Sequence, residues 1–470
     1  MTGTDGAGVD LQAFFGPRSV AIVGASERQT SSGGAVLQMM QRAGYSGRII
    51  PVNPKGGTIN GLEVRTSLSD LSEPAELVVV AVRPDFIPAV IGEAAATGHR
   101  KVLILPGGFS EAGEVGLARE KEVREIAADA GMTIAGPNCA GIIDLESETR
   151  LAATFLRDLP PGGGIAFISQ SGALAEEVIA ASQRHNIPLG IVVSVGNAMQ
   201  LGVEDYLEYL GNDPQVKCIL LYFESTRDMD AMAALCRKIA GQKPIVALLP
   251  GKTSEGQLAA AAHTGSKVSD AAELEGFCEK AGVVRVANLR EMMLAAKGFG
   301  TYPSGFGNRL LILSNSGGPG VLATDRAVLS GLDLAPLPEP FAEHLRAELP
   351  AEASIRNPLD LLADAREDRF GLTLEGAFQH CQGAFDAIAM IHVVPFMVDA
   401  GPVIDRLAEL SKTAPIPVLH SMMGTLVEGE SWFAKMEAAG VPMFQNVEDM
   451  AMTAGFLAKY GLIRKRLASS

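Results

Sequence analysis

Short β-branched runs alternate with longer amphipathic stretches along most of the chain. In the first third the runs are SVAIVG, RIIPVN, ELVVVAV, KVLILP and MTIAG, separated by patterns such as GGAVLQMMQRAG. Strand, helix, strand repeated in this way predicts a parallel sheet covered by helices on both faces. LRDLPPGGG, ending at Gly164, reads as a linker. A second block follows with GIAFIS, GIVVSVG, CILLYF, PIVALLP and VVRVA; TYPSGFGNR breaks it, and a third carries LLILSNS, AIAMIHVV, IPVLH and VPMF. The expectation is α/β throughout, with parallel-sheet blocks in series, and 470 residues suit about three domains.

Composition narrows what such a chain can bind. It is 47% hydrophobic and 20% charged, with 52 glycines and a formal net charge of −15. That charge argues against a nucleic-acid or anionic-membrane surface. An anionic ligand must therefore be held locally, by backbone N–H groups and a few basic side chains. The five cysteines lack C-x-x-C spacing and most lie in apolar runs, so they read as reduced core thiols of a cytosolic protein, with no zinc site and no disulfide framework. MTGTDGAGVDLQAFFGP has no leader pattern, and no apolar stretch is long enough to span a bilayer. The expectation is a soluble cytoplasmic protein. The 17 methionines read as core filler.

Candidate chemistry sits where strands meet helices. AFISQSGALA (Ala166 to Ala175) and LILSNSGGPGVLA (Leu311 to Ala323) each run strand, Ser-x-Ser-Gly, helix start. Convergent turn chemistry and a duplicated unit both account for this echo, and either way the loops aim helix N-terminal N–H groups at an anion. VAIVGASERQTSSGG stands where a dinucleotide fingerprint would, but only Gly24, followed by Ser26, clearly fits. Where NAD enzymes end their second strand with an acidic residue, PVNPK offers Asn53 and Lys55. A base there suits the phosphorylated ribose of coenzyme A or NADP; a solvated turn lysine is the plain alternative. AVRP, with Pro84, and LPGGFSEAG, with Glu111, end the third and fourth strands and line the same crevice.

Together GAS, NPK, PGGFSEAG, GPNCAGIID, SQSGALA, YFES, AAHTGS and SNSGGPGVLA resemble the NDP-forming acyl-CoA synthetases, in order from about residue 12 to 465. That family includes the ADP-forming acetate-CoA ligases and the succinyl-CoA synthetase α subunit. The resemblance implies a Rossmann-like CoA-binding domain over 12–145, a flavodoxin-like domain carrying a phosphohistidine over 160–300, and a second flavodoxin-like domain over 307–465. It implies that acid, CoA and ATP interconvert with acyl-CoA, ADP and phosphate through an acyl phosphate. His263 matches the phosphoryl carrier, since a neutral imidazole is nucleophilic near neutral pH. Glu224 of YFES matches the carboxylate that holds its ring. The same likeness gives Gly24, Ser26, Asn53, Lys55, Pro84 and Glu111 to CoA. It gives Asn138, Gly141, Ser169, Ser171, Gly172, Thr264 and Gly265 to the phosphate and acyl groups. Cys139 reads as structural, because the family keeps the thioester on CoA.

No stretch is left over for the ATP-grasp module that the reaction needs, a unit of roughly 200 residues or more. A separate β subunit is therefore implied, in an α2β2 heterotetramer or similar, bringing ATP or ADP and Mg²⁺. His263 would serve two sites, which requires a swinging loop or domain. In SVGNAMQLGVEDYLEYL, Ala198, Met199 and Gln200 replace the charged residues of the family's GNKAD-like loop. A bulkier or more apolar acid than acetate follows if Met199 or His420, in VLHSMMG, borders the acyl pocket. His99, His185, His344, His380 and His392 read as surface or core residues. The rival readings are a CoA-binding regulator without turnover, which has no need of His263 and Glu224, and an NADP oxidoreductase, disfavoured by the incomplete glycine fingerprint.

Overall fold

Leu77–Val80 is LVVV and buried at every position, as a central strand of a parallel sheet must be when helices cover both faces. The computed structural model describes residues 10–251, 253–258 and 271–469. The chain divides into two units, Met1–Met293 and Leu294–Ser470.

The first sheet holds β1 (Ser19–Val23), β2 (Arg48–Val52), β3 (Leu77–Val80), β4 (Lys101–Ile104) and β5 (Thr133–Ala135). Its order is β2-β1-β3-β4-β5, all parallel. Helices Ser32–Ala43, Ile87–Ala96 and Gly113–Asp129 connect the strands.

The second sheet reaches further back than the sequence boundary at 145. β6 (Gly141–Asp144) and β7 (Leu151–Thr154) form an antiparallel pair that joins this sheet, not the first. The parallel strands are β8 (Ile165–Ser169), β9 (Leu189–Ser194), β10 (Cys218–Tyr222), β11 (Ile245–Leu248) and β12 (Val284–Val286). The order is β12-β11-β10-β8-β9-β6-β7. Asp144 lies opposite Ile191, so β6 covers the β9 edge that would otherwise stay unpaired. Gly141 is needed for that pairing: its φ is +109°, and a Cβ would stand 2.1 Å from the Ala153 carbonyl oxygen. LRDLPPGGG is the connection from β7 to β8.

The second unit holds β13 (Leu310–Ser314), β14 (Leu359–Asp360), β15 (Ala387–Val394), β16 (Val418–Gly424) and β17 (Met443–Phe444), ordered β14-β13-β15-β16-β17. It closes on the long helix Val447–Ala468. No helix among the described residues is long and apolar enough to cross a membrane.

His420 lies in the third position of β16 and is fully buried, as is His392 on β15. Met390 pairs with His420 in register, so His392 is two residues further along the same face. The rings stack at 6.2 Å with 5° between their planes, and neither has a hydrogen-bond partner. Burial pushes His392 down to about 4. Burial, and then the neighbouring His392, push His420 well below the ordinary histidine range. Both rings titrate near 6.5 once unfolded. Between pH 6.5 and 4 the unfolded chain therefore takes up protons that the folded unit refuses. Stability contributed by the neutral rings is present above pH 6.5 and lost as the pH falls, at up to about 1.4 kcal/mol per pH unit per ring. Denaturant melts at pH 7 and pH 5 should show this fall in the second unit, and His392→Phe should flatten it; equal pH slopes in the two proteins would refute the assignment.

Candidate active site

Winding reverses between β1 and β3, and Gly24 and Ala81–Pro84 follow those two strands. The carboxyl ends of strands at such a switch point open a ligand crevice. Gly24 has φ +95°, and a Cβ there would stand 2.6 Å from the Ala81 carbonyl oxygen. Nine residues on, a Cβ at Gly33 would stand 2.1 Å from the Gly24 carbonyl oxygen. Ser31 caps the helix that begins at Ser32, its hydroxyl accepting from Gly34 N–H at 3.2 Å. Gly33 thus does the close-packing that a shorter fingerprint assigns to its last glycine. Sequence reasoning credited only Gly24, because the spacing is longer than the motif; GG just past a serine was the available signal.

The remaining CoA candidates divide into struts and free groups. Asn53 is a strut: its Nδ2 donates to Ala25 O at 2.8 Å and its Oδ1 accepts from Lys55 N–H at 3.0 Å. The Ser26 hydroxyl accepts from Arg28 N–H at 3.1 Å. Lys55 is exposed, and its ammonium has no ion-pair partner among the described residues. Pro84 packs against Gly108, where a Cβ would meet its ring at 2.7 Å.

Glu111 turns inward to a seam between the first two sheets. One carboxylate oxygen accepts from Gly108 N–H and from Phe109 N–H at 3.2 Å, and the other accepts from the Asn197 amide. Burial works to raise its pKa, yet the Asn197 amide and these backbone donors outweigh it and hold the carboxyl below the usual range. Asn138, at φ +56°, donates from Nδ2 to Asn197 Oδ1 at 3.1 Å. Met199 N–H bonds Gly136 O at 3.0 Å and Gln200 Oε1 accepts Ile134 N–H at 2.7 Å.

The second switch point lies between β8 and β10, where Ser169 is paired with Tyr222. The Ser169 hydroxyl donates to Ser171 O at 2.8 Å and accepts Ser171 N–H at 3.1 Å, folding the loop tightly. Ser171 caps the helix Gly172–Arg184 through Leu174 N–H at 3.3 Å. Opposite it, the Tyr222 hydroxyl donates to Glu224 Oε1 at 2.8 Å. Glu224 N–H bonds Gln170 Oε1 at 2.6 Å. Gln170 and Glu224 border a cavity of about 350 Å³ whose wall includes Arg227 and Pro250. Pro250 follows β11, from which the chain runs on toward AAHTGS. Gly141 and Ala140 approach the same helix start: Ala140 N–H bonds Ser194 Oγ at 2.8 Å, and a Cβ on Gly172 would meet Ala140 Cβ at 3.2 Å. His263, Thr264 and Gly265 lie outside the described residues. Gln170, Tyr222, Asn197 and Arg227 were missed by sequence reasoning, although Gln170 lies inside SQSG, Tyr222 inside YFES and Asn197 inside SVGNAMQ; only Arg227 lay outside every motif.

Comparison with known proteins places this geometry. Residues 18–144 match the model of a CoA binding domain, and residues 162–299 that of a succinyl-CoA ligase like flavodoxin domain. The acetate–CoA ligase [ADP-forming] II subunit alpha of Pyrococcus furiosus is 34% identical over 94% of this chain and 96% of its own length. The chain belongs to the ADP-forming acyl-CoA ligase family. It also matches a trans-feruloyl-CoA synthase from an unknown prokaryotic organism, at 36% identity over 75% of this chain but only 50% of that longer protein. Among solved structures, the acetyl-coenzyme A synthetase 1 of Ca. Korarchaeum cryptofilum, in complex with phosphate and ADP, superposes with TM-score 0.91 at 27% identity, covering 98% of each chain.

As a member of this ligase family the chain has one cysteine beside its second site, and it is inert. Cys139 is buried, and burial pushes its thiol up to about 12, which removes the thiolate a nucleophile needs. The acyl-pocket expectation is corrected. Met199 is 3% exposed and packs into the core of the first sheet with Val78 and Ile104, while His420 is buried in the second unit. Neither lines the Glu224 cavity, whose wall takes only Ala198 from the loop residues Ala198, Met199 and Gln200, while Met199 and Gln200 stabilise the seam. A larger cavity, about 1000 Å³, is lined by Glu76, Asp144, Glu146, Glu208 and Asp213, with Arg18 its one base among the described residues. Arg18 is paired with Glu76 at 2.6 Å, so that cavity repels phosphate and CoA.

Gly33→Ala would drive a methyl into the Gly24 carbonyl. It should cost about 1–3 kcal/mol and at least tenfold in CoA affinity, read by denaturant melts and calorimetric titration; wild-type affinity would show that the loop does not hold the ligand.

Proposed function

We propose that this ligase is the CoA-binding, phosphohistidine-bearing subunit of an ADP-forming acyl-CoA synthetase. The observation that carries the reading is one edge of the second sheet. The Ser169–Gly172 anion loop and Glu224 stand together there at the switch point, beside the strand end from which the His263 segment departs.

The steps follow from that placement. Phosphate oxygen attacks the thioester carbonyl; the C–S bond breaks, and CoA leaves as thiolate and takes up a proton. The acyl phosphate rests its anionic oxygens on the N–H groups at the Gly172 helix start, with Ser169, Ser171 and, from its own segment, Thr264 and Gly265 as further donors. A neutral His263 nitrogen attacks phosphorus and expels the carboxylate acid. Glu224 accepts the N–H of the other ring nitrogen, which fixes the tautomer and stabilises the charged phosphoimidazole. The phosphoryl group then passes to ADP. Asn138 and Gly141 place the loop beside the thioester, and Glu111 secures the seam through Asn197.

CoA fits the first crevice: the Gly24 to Gly33 loop and the start of the helix Ser32–Ala43 suit its pyrophosphate, and Lys55 its 3′-phosphate. ATP or ADP and Mg²⁺ fall to an ATP-grasp β subunit, in an α2β2 heterotetramer or similar. One fact supports a second chain: the Pyrococcus relative is named as a subunit alpha. The described cysteines are all buried and none is in a disulfide, which suits a reducing cytoplasm.

Two measurements test the reading. With acyl-CoA and radiolabelled phosphate, with and without a candidate ATP-grasp partner, the chain should acquire an acid-labile, base-stable label that His263→Ala abolishes. No label across small, branched and aryl acyl-CoAs, partner included, would overturn it. Lys55→Ala should weaken CoA about 5- to 10-fold, the value of a charge-assisted contact, and leave 3′-dephospho-CoA unchanged; equal losses for both would remove Lys55 from the site.

A further inference from the structure

Gln170 stands between the two serines of the anion loop, yet its amide is committed to the neighbouring loop. Its Oε1 accepts from Glu224 N–H at 2.6 Å and from Ser225 N–H at 3.2 Å. Its Nε2 donates to Ser225 O at 3.0 Å, and its backbone N–H donates to Tyr222 O at 3.2 Å. The side chain therefore spans the gap where β8 and β10 wind apart and holds two successive peptide groups across it. Glu224 borders the cavity, and the Tyr222 hydroxyl donates to its Oε1 at 2.8 Å.

We propose that Gln170 is a positioning residue that sets the distance between the Glu224 carboxylate and the Ser169–Gly172 anion loop. This rests on the roles given above to Glu224 and that loop. It acts through the Glu224 backbone and touches no reacting atom.

The second unit contains the same device without the carboxylate. Ser314 is paired with Ile391, as Ser169 is with Tyr222. The Ser314 hydroxyl donates to Ser316 O at 2.7 Å, repeating the Ser169–Ser171 fold. Asn315 then accepts Val393 N–H on Oδ1 at 2.8 Å and donates from Nδ2 to Val393 O at 2.8 Å. Residue 393 is the structural counterpart of 224. The shorter asparagine holds one residue; the longer glutamine holds two. Where a carboxylate must be aimed, the chain carries the amide that fixes the turn on both sides of it.

Gln170→Ala, Gln170→Asn and the control Asn315→Ala test this in the full chain. Hydrogen exchange by mass spectrometry over residues 222–227 should accelerate at least tenfold in Gln170→Ala, less in Gln170→Asn, and not in Asn315→Ala. The rate of His263 labelling from acyl-CoA and phosphate should fall about 10- to 100-fold in Gln170→Ala, the usual loss when a supporting contact or an ångström of placement is removed. The KM for acyl-CoA should hold, and Gln170→Asn should recover part of the rate. Unchanged exchange, or a rate loss matched by Asn315→Ala, or a KM that rises in step, overturns the proposal. A wild-type chain that never labels while its exchange responds as stated supports the clamp and condemns the functional reading instead.

Discussion

Among the five parallel strands of each of the three large sheets the chain winds one way from the first strand to the second, then crosses back and winds the other way. The shared order, second-first-third-fourth-fifth, makes this reversal the constraint on which the molecule depends. Connections leaving two adjacent strands to opposite faces cannot fill the space between them. Backbone N–H groups at helix starts are then left facing a crevice, and there a chain of net charge −15 can hold anions at all. Each helix start offers roughly half a positive charge without any basic side chain. Arg28, Lys55 and Arg83 are the exposed bases on the segments that border the first crevice, and the acid-lined cavity elsewhere in the first unit shows what other parts of the surface do with charge.

That constraint was legible in the sequence where it is local. Strand runs and the Ser-x-Ser-Gly loops are short-range patterns, and each was found in place. What could not be read depended on partners distant in sequence. GIID lies inside the first domain's boundary at 145, yet it joins the second sheet, because the open β9 edge it covers lies some fifty residues on. Gly33 packs on Gly24, and no motif spacing announces that contact. Met199 looked like a pocket residue since it replaces a charge; it is a plug in another domain's core, which periodicity in its own segment does not reveal. The roles of Asn53 and Glu111 divided similarly: polar side chains near a crevice can serve the ligand or the loops around it. Asn53 is engaged with Ala25 and Lys55, and Glu111 with Asn197.

The seam among residues 107–111, 136–138 and 196–200 connects the two halves of the chemistry. A thioester bound at the first crevice must present its carbonyl at the second, so the first two domains have to be locked in register. Glu111 does this as an ionised acceptor. Its carboxyl stays below the usual range because donors from both sides, Gly108 N–H and the Asn197 amide, outweigh burial. Such a group is costly to bury alone and specific when fully bonded. Met199 adds apolar contact to the same joint.

The echo between SQSG and SNSG now has physical content. Strand order alone does not distinguish duplication from convergence, because this order is common. The hydrogen bonds do more: serine hydroxyl to the second serine's carbonyl, and an amide side chain across to the third strand's end, recur in both units. Two loops that arrived separately at an anion-binding turn need not share the cross-strand amide, so duplication accounts for more of what is seen. The two loops differ where Glu224 stands in one unit and Val393 in the other, each two residues past the strand residue paired with the loop's first serine. Glu224 can orient an imidazole; Val393 cannot. The histidines nearest Val393, at 392 and 420, are sealed in the core with no hydrogen-bond partner, where a phosphoryl group could neither reach them nor be solvated. The second unit thus repeats the loop and the cross-strand amide of the first without a carboxylate at the position of Glu224.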